Sequence, residues 1–167
     1  MVVASPEREP FSEENSVNIY WVAKKVAEIP AVSLPDIHAL YEKMASSYDV
    51  ISAAANYKVP GWLGDCLKHD CQIPRINLDL ACGTGAIAKL LRSFGENGAI
   101  FGSDFSNQML RAARDSGAYT SLVPADLCKG IPVVENCHFD RIFLCSASEF
   151  IEDLNSLLES CAQALVR

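Results

Sequence analysis

The sequence has 167 residues, and its 14 Lys and Arg against 21 Asp and Glu give a formal charge of −7. Half of it is hydrophobic and 21% is charged, the composition of a folded domain with room for a core rather than of a disordered or fibrous chain. Its apolar stretches fall far short of a membrane span, and the opening run MVVASPEREPF puts acids and prolines where a signal peptide needs an apolar core. A cytoplasmic location is therefore expected, and the negative charge disfavours non-specific binding to nucleic acid.

Seven cysteines (Cys66, Cys71, Cys82, Cys128, Cys137, Cys145, Cys161) are odd in number, scattered, and form no Cys-x-x-Cys pair. Free thiols are the expectation. His38, His69 and His138 share no ligand spacing with one another, so no metal site is expected.

In chain order, residues 1–12 read as a loose polar tail and residues 13–72 as a helical cap. The cap begins with an acidic start at Ser12-Glu13-Glu14, and apolar residues follow on helical spacing through Val17, Tyr20 and Trp21 until Pro30. A second helix is expected from Leu34 or Pro35 to Ser47, with Ile37, Leu40, Tyr41, Met44 and Ala45 on one face. A third is expected from Pro60 to His69, burying Trp62, Leu63, Cys66 and Leu67. At residue 73 the pattern changes to strands alternating with helices: strand 76–81, a glycine turn, helix 86–94, strand 99–104 and helix 107–116. Strand 119–125, strand 139–145 and a closing helix 149–166 complete the order. Residues 73–167 are thus expected to form an α/β core, doubly wound around a mostly parallel sheet with right-handed crossovers.

The chemistry concentrates in Asp79-Leu80-Ala81-Cys82-Gly83-Thr84-Gly85. Gly83 and Gly85 allow a sharp turn and a close approach by a ligand, at a helix start where unpaired amides and the positive dipole end are presented. Ligands of open parallel sheets sit beyond the carboxyl ends of the strands. Gly83-x-Gly85-x-x-Ala88, with Asp104 about twenty residues on, also satisfies a dinucleotide fingerprint, so NAD is one candidate. Asp79 weighs against it, because a carboxylate at the strand end would crowd a pyrophosphate. S-adenosylmethionine carries a sulfonium and an ammonium and no phosphate, and suits that acid better.

The segment Leu78-Asp79-Leu80-Ala81-Cys82-Gly83-Thr84-Gly85, followed by Gly102-Ser103-Asp104-Phe105-Ser106-Asn107-Gln108-Met109-Leu110, resembles the first two motifs of class I S-adenosylmethionine-dependent methyltransferases. Upstream, Leu40-Tyr41-Glu42, Ala45, Tyr48-Asp49 and Tyr57-Lys58 resemble the methyltransferase-like proteins of the Williams-Beuren syndrome region. The likeness runs over roughly residues 37 to 167. It implies a Rossmann-like sheet in the order 3-2-1-4 with an N-terminal helical cap, and S-adenosyl-L-methionine as cofactor. Carried over, Asp79, Ala81, Gly83 and Gly85 surround the methionine part, Asp104 accepts from the ribose hydroxyls, and Asp126 accepts from the adenine amino group. Phe105 and Leu127 sandwich the ring, Tyr41 and Tyr48 close over it with Tyr57, and Cys145, Ser146 and Tyr57 face the acceptor. No catalytic residue is assigned beyond those acceptor-facing candidates.

Each residue also has a plainer role. Asp104 or Ser106 can cap the helix beginning at Asn107, Asp126 can be a loop acid, and the tyrosines can be packing residues. Glu149, Glu152 and Asp153 can simply complement the dipole of the last helix. Similar enzymes continue past the fourth strand with further strands, so strand 139–145 is expected at an apolar edge. The chain is then a truncated fragment or isoform, or its edge is covered by a partner, a homodimer or the N-terminal helices. The Leu144-to-Glu149 segment lacks the Asn-Pro-Pro-Tyr signature of amino methylation on bases, which leaves a small-molecule or protein acceptor. A non-catalytic S-adenosylmethionine-binding or interaction module is the alternative from another class.

Overall fold

The computed structural model describes residues 34–55, 59–67, 73–132 and 138–165. The tail over 1–12, the first cap helix and Tyr57 lie outside the described residues. Four short strands, β1 (Asn77–Leu80), β2 (Ile100–Asp104), β3 (Ser121–Pro124) and β4 (Arg141–Leu144), form one parallel sheet in the order β3-β2-β1-β4. This is the Rossmann-like order expected from the motifs. In register, Leu78 lies opposite Phe101 and Ile142, and Asp79 opposite Gly102 and Phe143. β1 is buried at all four positions, as a strand covered on both faces must be.

Six helices surround the sheet among the described residues: α1 (Leu34–Met44), α2 (Tyr48–Ala54), α3 (Val59–Leu67), α4 (Ala86–Ser93), α5 (Asn107–Asp115) and α6 (Leu154–Ala164). Helical spacing puts Ile87, Ala88 and Leu91 of α4 against Ile100 and Phe143. Leu110 and Ala113 of α5 pack with Cys82, and Tyr119 joins both groups, so α4 and α5 share one face. Leu157 and Cys161 of α6 cover Leu78 and Leu80 on the other. At the amino end of the sheet, the wholly buried Glu96 takes Arg141 Nη1 at 2.9 Å on one oxygen. Its other oxygen accepts the Arg75 and Gly98 amides at 3.0 and 2.7 Å. These bonds satisfy a charge that burial alone would neutralise.

Several expectations need correction. The closing helix begins at Leu154 rather than Glu149, because the Asp153 carboxylate accepts the Ser156 amide at 2.9 Å and caps it there, while Ser148–Phe150 form a separate 3-10 turn. The second cap helix stops at Met44, and a further helix, α2, follows directly. Trp62 is 65% exposed and Cys66 is exposed, whereas Leu63 and Leu67 pack on the α4 cluster. The two pairs each share a face at i, i+4 but lie one residue, about 100° of rotation, apart, and α3 touches the core along a single stripe. Leu40 is likewise turned out of its helix's buried face. The edge expected over 139–145 is not open throughout: the Phe139 amide donates to Ala164 O at 2.9 Å, and Phe139 forms a parallel bridge with Leu165. β4 proper pairs, among the described residues, with β1 alone.

Candidate functional site

The order β3-β2-β1-β4 reverses direction between β1 and β4, and a crevice opens where the strand ends diverge. A cleft partly open to solvent lies there. Each strand end contributes to its wall: Ala81 after β1, Phe105 after β2, Asp126 and Leu127 after β3, Phe150 after β4. Ile37 of α1 closes it from the cap. Four residues predicted as cofactor contacts, Ala81, Phe105, Asp126 and Leu127, are thereby brought together on one mostly apolar surface.

Beside the cleft stands the glycine turn. Gly83 and Gly85 have φ of +53° and +88°, a region that side-chain-bearing residues rarely enter, and Gly85 is the N-terminal cap residue of α4 with no side chain to bond its amides. Ala81 takes the same kind of backbone, φ +53°, despite its Cβ. Asp104 ties this turn to α5, since its Oδ2 accepts the Gly83 amide at 2.8 Å and its Oδ1 accepts the Ser106 amide at 2.9 Å. Burial lifts the Asp104 carboxyl above the usual range, against the pull of the Ser106, Gly83 and Phe105 amides. Each oxygen keeps acceptor capacity after one such bond. The capping of α5 falls to Ser106, whose hydroxyl accepts the Met109 amide at 3.2 Å.

Asp79 is 1% exposed, and the Tyr119 hydroxyl donates to its Oδ2 at 2.7 Å. Burial pushes its carboxyl up to about 7; the Tyr119 hydrogen bond opposes the rise and the charge of Asp104 adds to it. Asp126 both lines the cleft and caps the 3-10 turn Leu127–Lys129, accepting the Cys128 amide at 3.1 Å and pairing with Lys129 Nζ at 3.1 Å. Cys145, at the end of β4, is half-buried against the α4 cluster, and burial raises its thiol, as does the charge of Asp79. Ser146 beside it is exposed at φ +56°.

The cap is fastened over this end of the sheet by Tyr41, a predicted cover residue, and by His38, Glu42 and Asp49, which were not predicted as contacts. The Tyr41 ring lies 5.8 Å from Phe105 and 6.2 Å from Phe150, both on the cleft wall, and Tyr48 packs on Tyr41 with the ring centres 6.0 Å apart. His38 Nε2 donates to Phe105 O at 3.2 Å, and Glu42 Oε1 accepts the Asn107 amide at 2.6 Å at the start of α5. Asp49 of α2 accepts from the Thr84 hydroxyl inside the glycine turn and from Lys89 Nζ at 3.0 Å. Ile37, Cys128, Ala147, Phe150 and Ile151 complete the lining unannounced; only Ile37 carried a signal, as part of the buried stripe of its helix.

Comparison with known proteins agrees with this fold. The chain is 28% identical over 130 residues to a demethylmenaquinone methyltransferase of Oceanobacillus iheyensis, covering 74% of this chain and 54% of that one. It is 35% identical over 98 residues to human methyltransferase-like protein 27, covering 55% and 40%. A solved S-adenosylmethionine-dependent methyltransferase from Clostridium acetobutylicum superposes with a TM-score of 0.56 at 25% identity, over 77% of this chain and 54% of that one. The chain spans about half the length of the curated relatives it matches, or less. Residues 78–167, more than half of the chain, match the methyltransferase domain family, and the chain belongs to that family, the class I S-adenosylmethionine-dependent methyltransferases.

Proposed function

We propose that this chain binds S-adenosylmethionine in the cleft above the sheet and that the protein transfers its methyl group to a small-molecule or protein acceptor. The observation that carries the reading is the convergence of four strand ends on one apolar cleft at the switch point, with the uncapped Gly83–Gly85 turn following the lining residue Ala81. The donor set fits such a ligand. Asp104 has acceptor capacity for vicinal hydroxyls, Phe105 and Leu127 offer flat apolar walls to an adenine, and Asp126 stands at the rim for its amino group. Asp79, Gly83 and Gly85 belong to the methionine end, and Tyr41 and Tyr48 to the cover. Cys145, Ser146 and Tyr57 remain the acceptor-facing candidates.

When bound, the sulfonium supplies the methyl group, and the acceptor's lone pair forms the new bond as the carbon–sulfur pair returns to sulfur. The protein's part is proximity and in-line orientation. Among the described residues no helix is long and apolar enough to cross a membrane. With a charge of −7, a cytoplasmic protein that avoids nucleic acid is the fitting context. A partner or second copy along β4 is part of the same proposal.

Calorimetric titration of the folded chain with S-adenosylhomocysteine, and with NAD in parallel, tests it. Binding of the former alone, weakened in Asp79→Ala, is expected; binding of NAD instead, or of neither, overturns the reading. A methylation panel should include demethylmenaquinone, the acceptor named for the Oceanobacillus relative. Cofactor binding without product from any acceptor would identify a binding module rather than an enzyme.

A further inference from the structure

Tyr119 lies between α5 and β3, outside both sequence motifs, yet it touches the centre of each. A Cβ on Gly102 would fall 2.6 Å from its Cε1, and one on Gly85 would fall 3.0 Å from its Cε2. The ring therefore occupies space that only glycine leaves, wedged between the start of α4 and the middle of β2. Cys82 and Leu122 pack around it. From that wedge the hydroxyl crosses to β1 and donates to Asp79 at 2.7 Å. Burial raises the phenol well above its usual range, so it remains a donor at any working pH.

We propose that Tyr119 is a positioning residue for the cofactor: its ring props the Gly83–Gly85 turn from behind, and its hydroxyl holds the Asp79 carboxylate as the counter-charge to the ligand's cationic end. The inference rests on the reading of the cleft given above. The groups facing Asp79 are the Asp104 carboxylate from β2, the Cys82 thiol of the turn, the Cys145 thiol at the end of β4, and the Tyr119 hydroxyl itself. All four are acids, and none can supply positive charge to keep Asp79 ionised. One hydrogen bond is then the protein's main support for that charge near neutral pH, until a sulfonium and an ammonium arrive.

The test is calorimetric titration of the wild-type chain and of Tyr119→Phe with S-adenosylmethionine and S-adenosylhomocysteine from about pH 6 to 8.5, a range that brackets the Asp79 transition. Thermal unfolding of each variant is followed alongside. Wild-type affinity should rise with pH through the Asp79 transition. Tyr119→Phe should bind about tenfold more weakly at pH 7, the value of one charge-assisted hydrogen bond, with the pH midpoint moved to the alkaline side. Asp79→Asn should lose the part of the slope that belongs to Asp79 and give a shallower profile than the wild type. Gly102→Ala, whose methyl displaces the ring, should reproduce the Tyr119→Phe signature and decides the matter if that variant does not fold. A Tyr119→Phe chain with wild-type affinity and pH profile overturns the inference, as does an Asp79→Asn chain that keeps the wild-type profile. Failure of the folded wild-type chain to bind either ligand refutes the cofactor reading first and this inference with it.

Discussion

Asp79→Asn should make the ligand-free protein more stable in alkaline solution than in acid, relative to the unaltered chain. Burial raises the Asp79 carboxyl from its ordinary 3.8 to about 7, so between those values the folded state holds a proton that the unfolded chain releases. The stability this group contributes is full below its unfolded value and is lost as pH rises through 7. Above that point the native state carries a buried carboxylate at a cost on the order of 4 kcal/mol. An asparagine has no such term. Its oxygen still accepts from Tyr119, and its new buried amide costs about 1–3 kcal/mol at every pH. Between pH 5 and 8.5 the wild type should therefore lose about 3 kcal/mol relative to the variant, or roughly 8 °C in Tm for a chain of this size. Thermal unfolding followed by circular dichroism across that range reads the difference directly. Parallel Tm curves would show that Asp79 does not titrate there, and would remove the reasoning built on its burial. A positive result identifies Asp79 as a residue kept at the expense of stability, which is common at binding sites.

Three further outcomes are expected. Ala81→Gly relieves a Cβ at φ +53° and should raise the urea midpoint by the equivalent of up to about 1 kcal/mol, after the added freedom of the unfolded chain is deducted. Arg141→Met strips the wholly buried Glu96 of its cation and should cost about 3–5 kcal/mol in chemical denaturation, while the folded fraction keeps its affinity for S-adenosylhomocysteine, because the pair lies at the opposite end of the sheet. Glu42→Ala removes the acceptor of the Asn107 amide and should speed hydrogen exchange at Asn107 and protease cleavage within α1, leaving exchange at Leu78 and Leu80 unchanged.

What the sequence made legible is what local chemistry decides. The run from Leu78 to Gly85 announces a strand, a turn and a helix start through burial pattern and two glycines, and each of those choices is settled within a few residues. The spacing from the turn to Asp104 follows from the length of one helix and one strand, but the bond from the Gly83 amide to Asp104 Oδ2 was not foreseen, since the motifs gave that acid to the ribose or to the cap of α5. Acidic residues outside that run look alike on paper. Glu149, Glu152 and Asp153 were equal candidates for a helix start, and only the amide of Ser156 chooses Asp153. Glu42 and Asp49 entered only as part of the upstream resemblance, with no role assigned, yet each reaches across to fasten the cap, Glu42 to α5 and Asp49 to Thr84. Their partners lie 65 and 35 residues away, beyond the reach of any periodicity.

Tyr119 shows what kind of signal was missed. A bulky ring opposite two glycines is a complementary pattern, in which Gly85 and Gly102 are conspicuous for what they lack. Read one residue at a time, Gly85 belongs to the ligand turn and Gly102 to a strand that it weakens. Taken together with a large side chain seventeen residues beyond the second glycine, they describe a socket on the hidden side of the turn. Phe105 and Leu127 line the cleft, while the turn and Asp79 are contacted from behind by Tyr119, a residue in no motif. A binding site of this kind has two sides, and a motif search sees the one that faces the ligand.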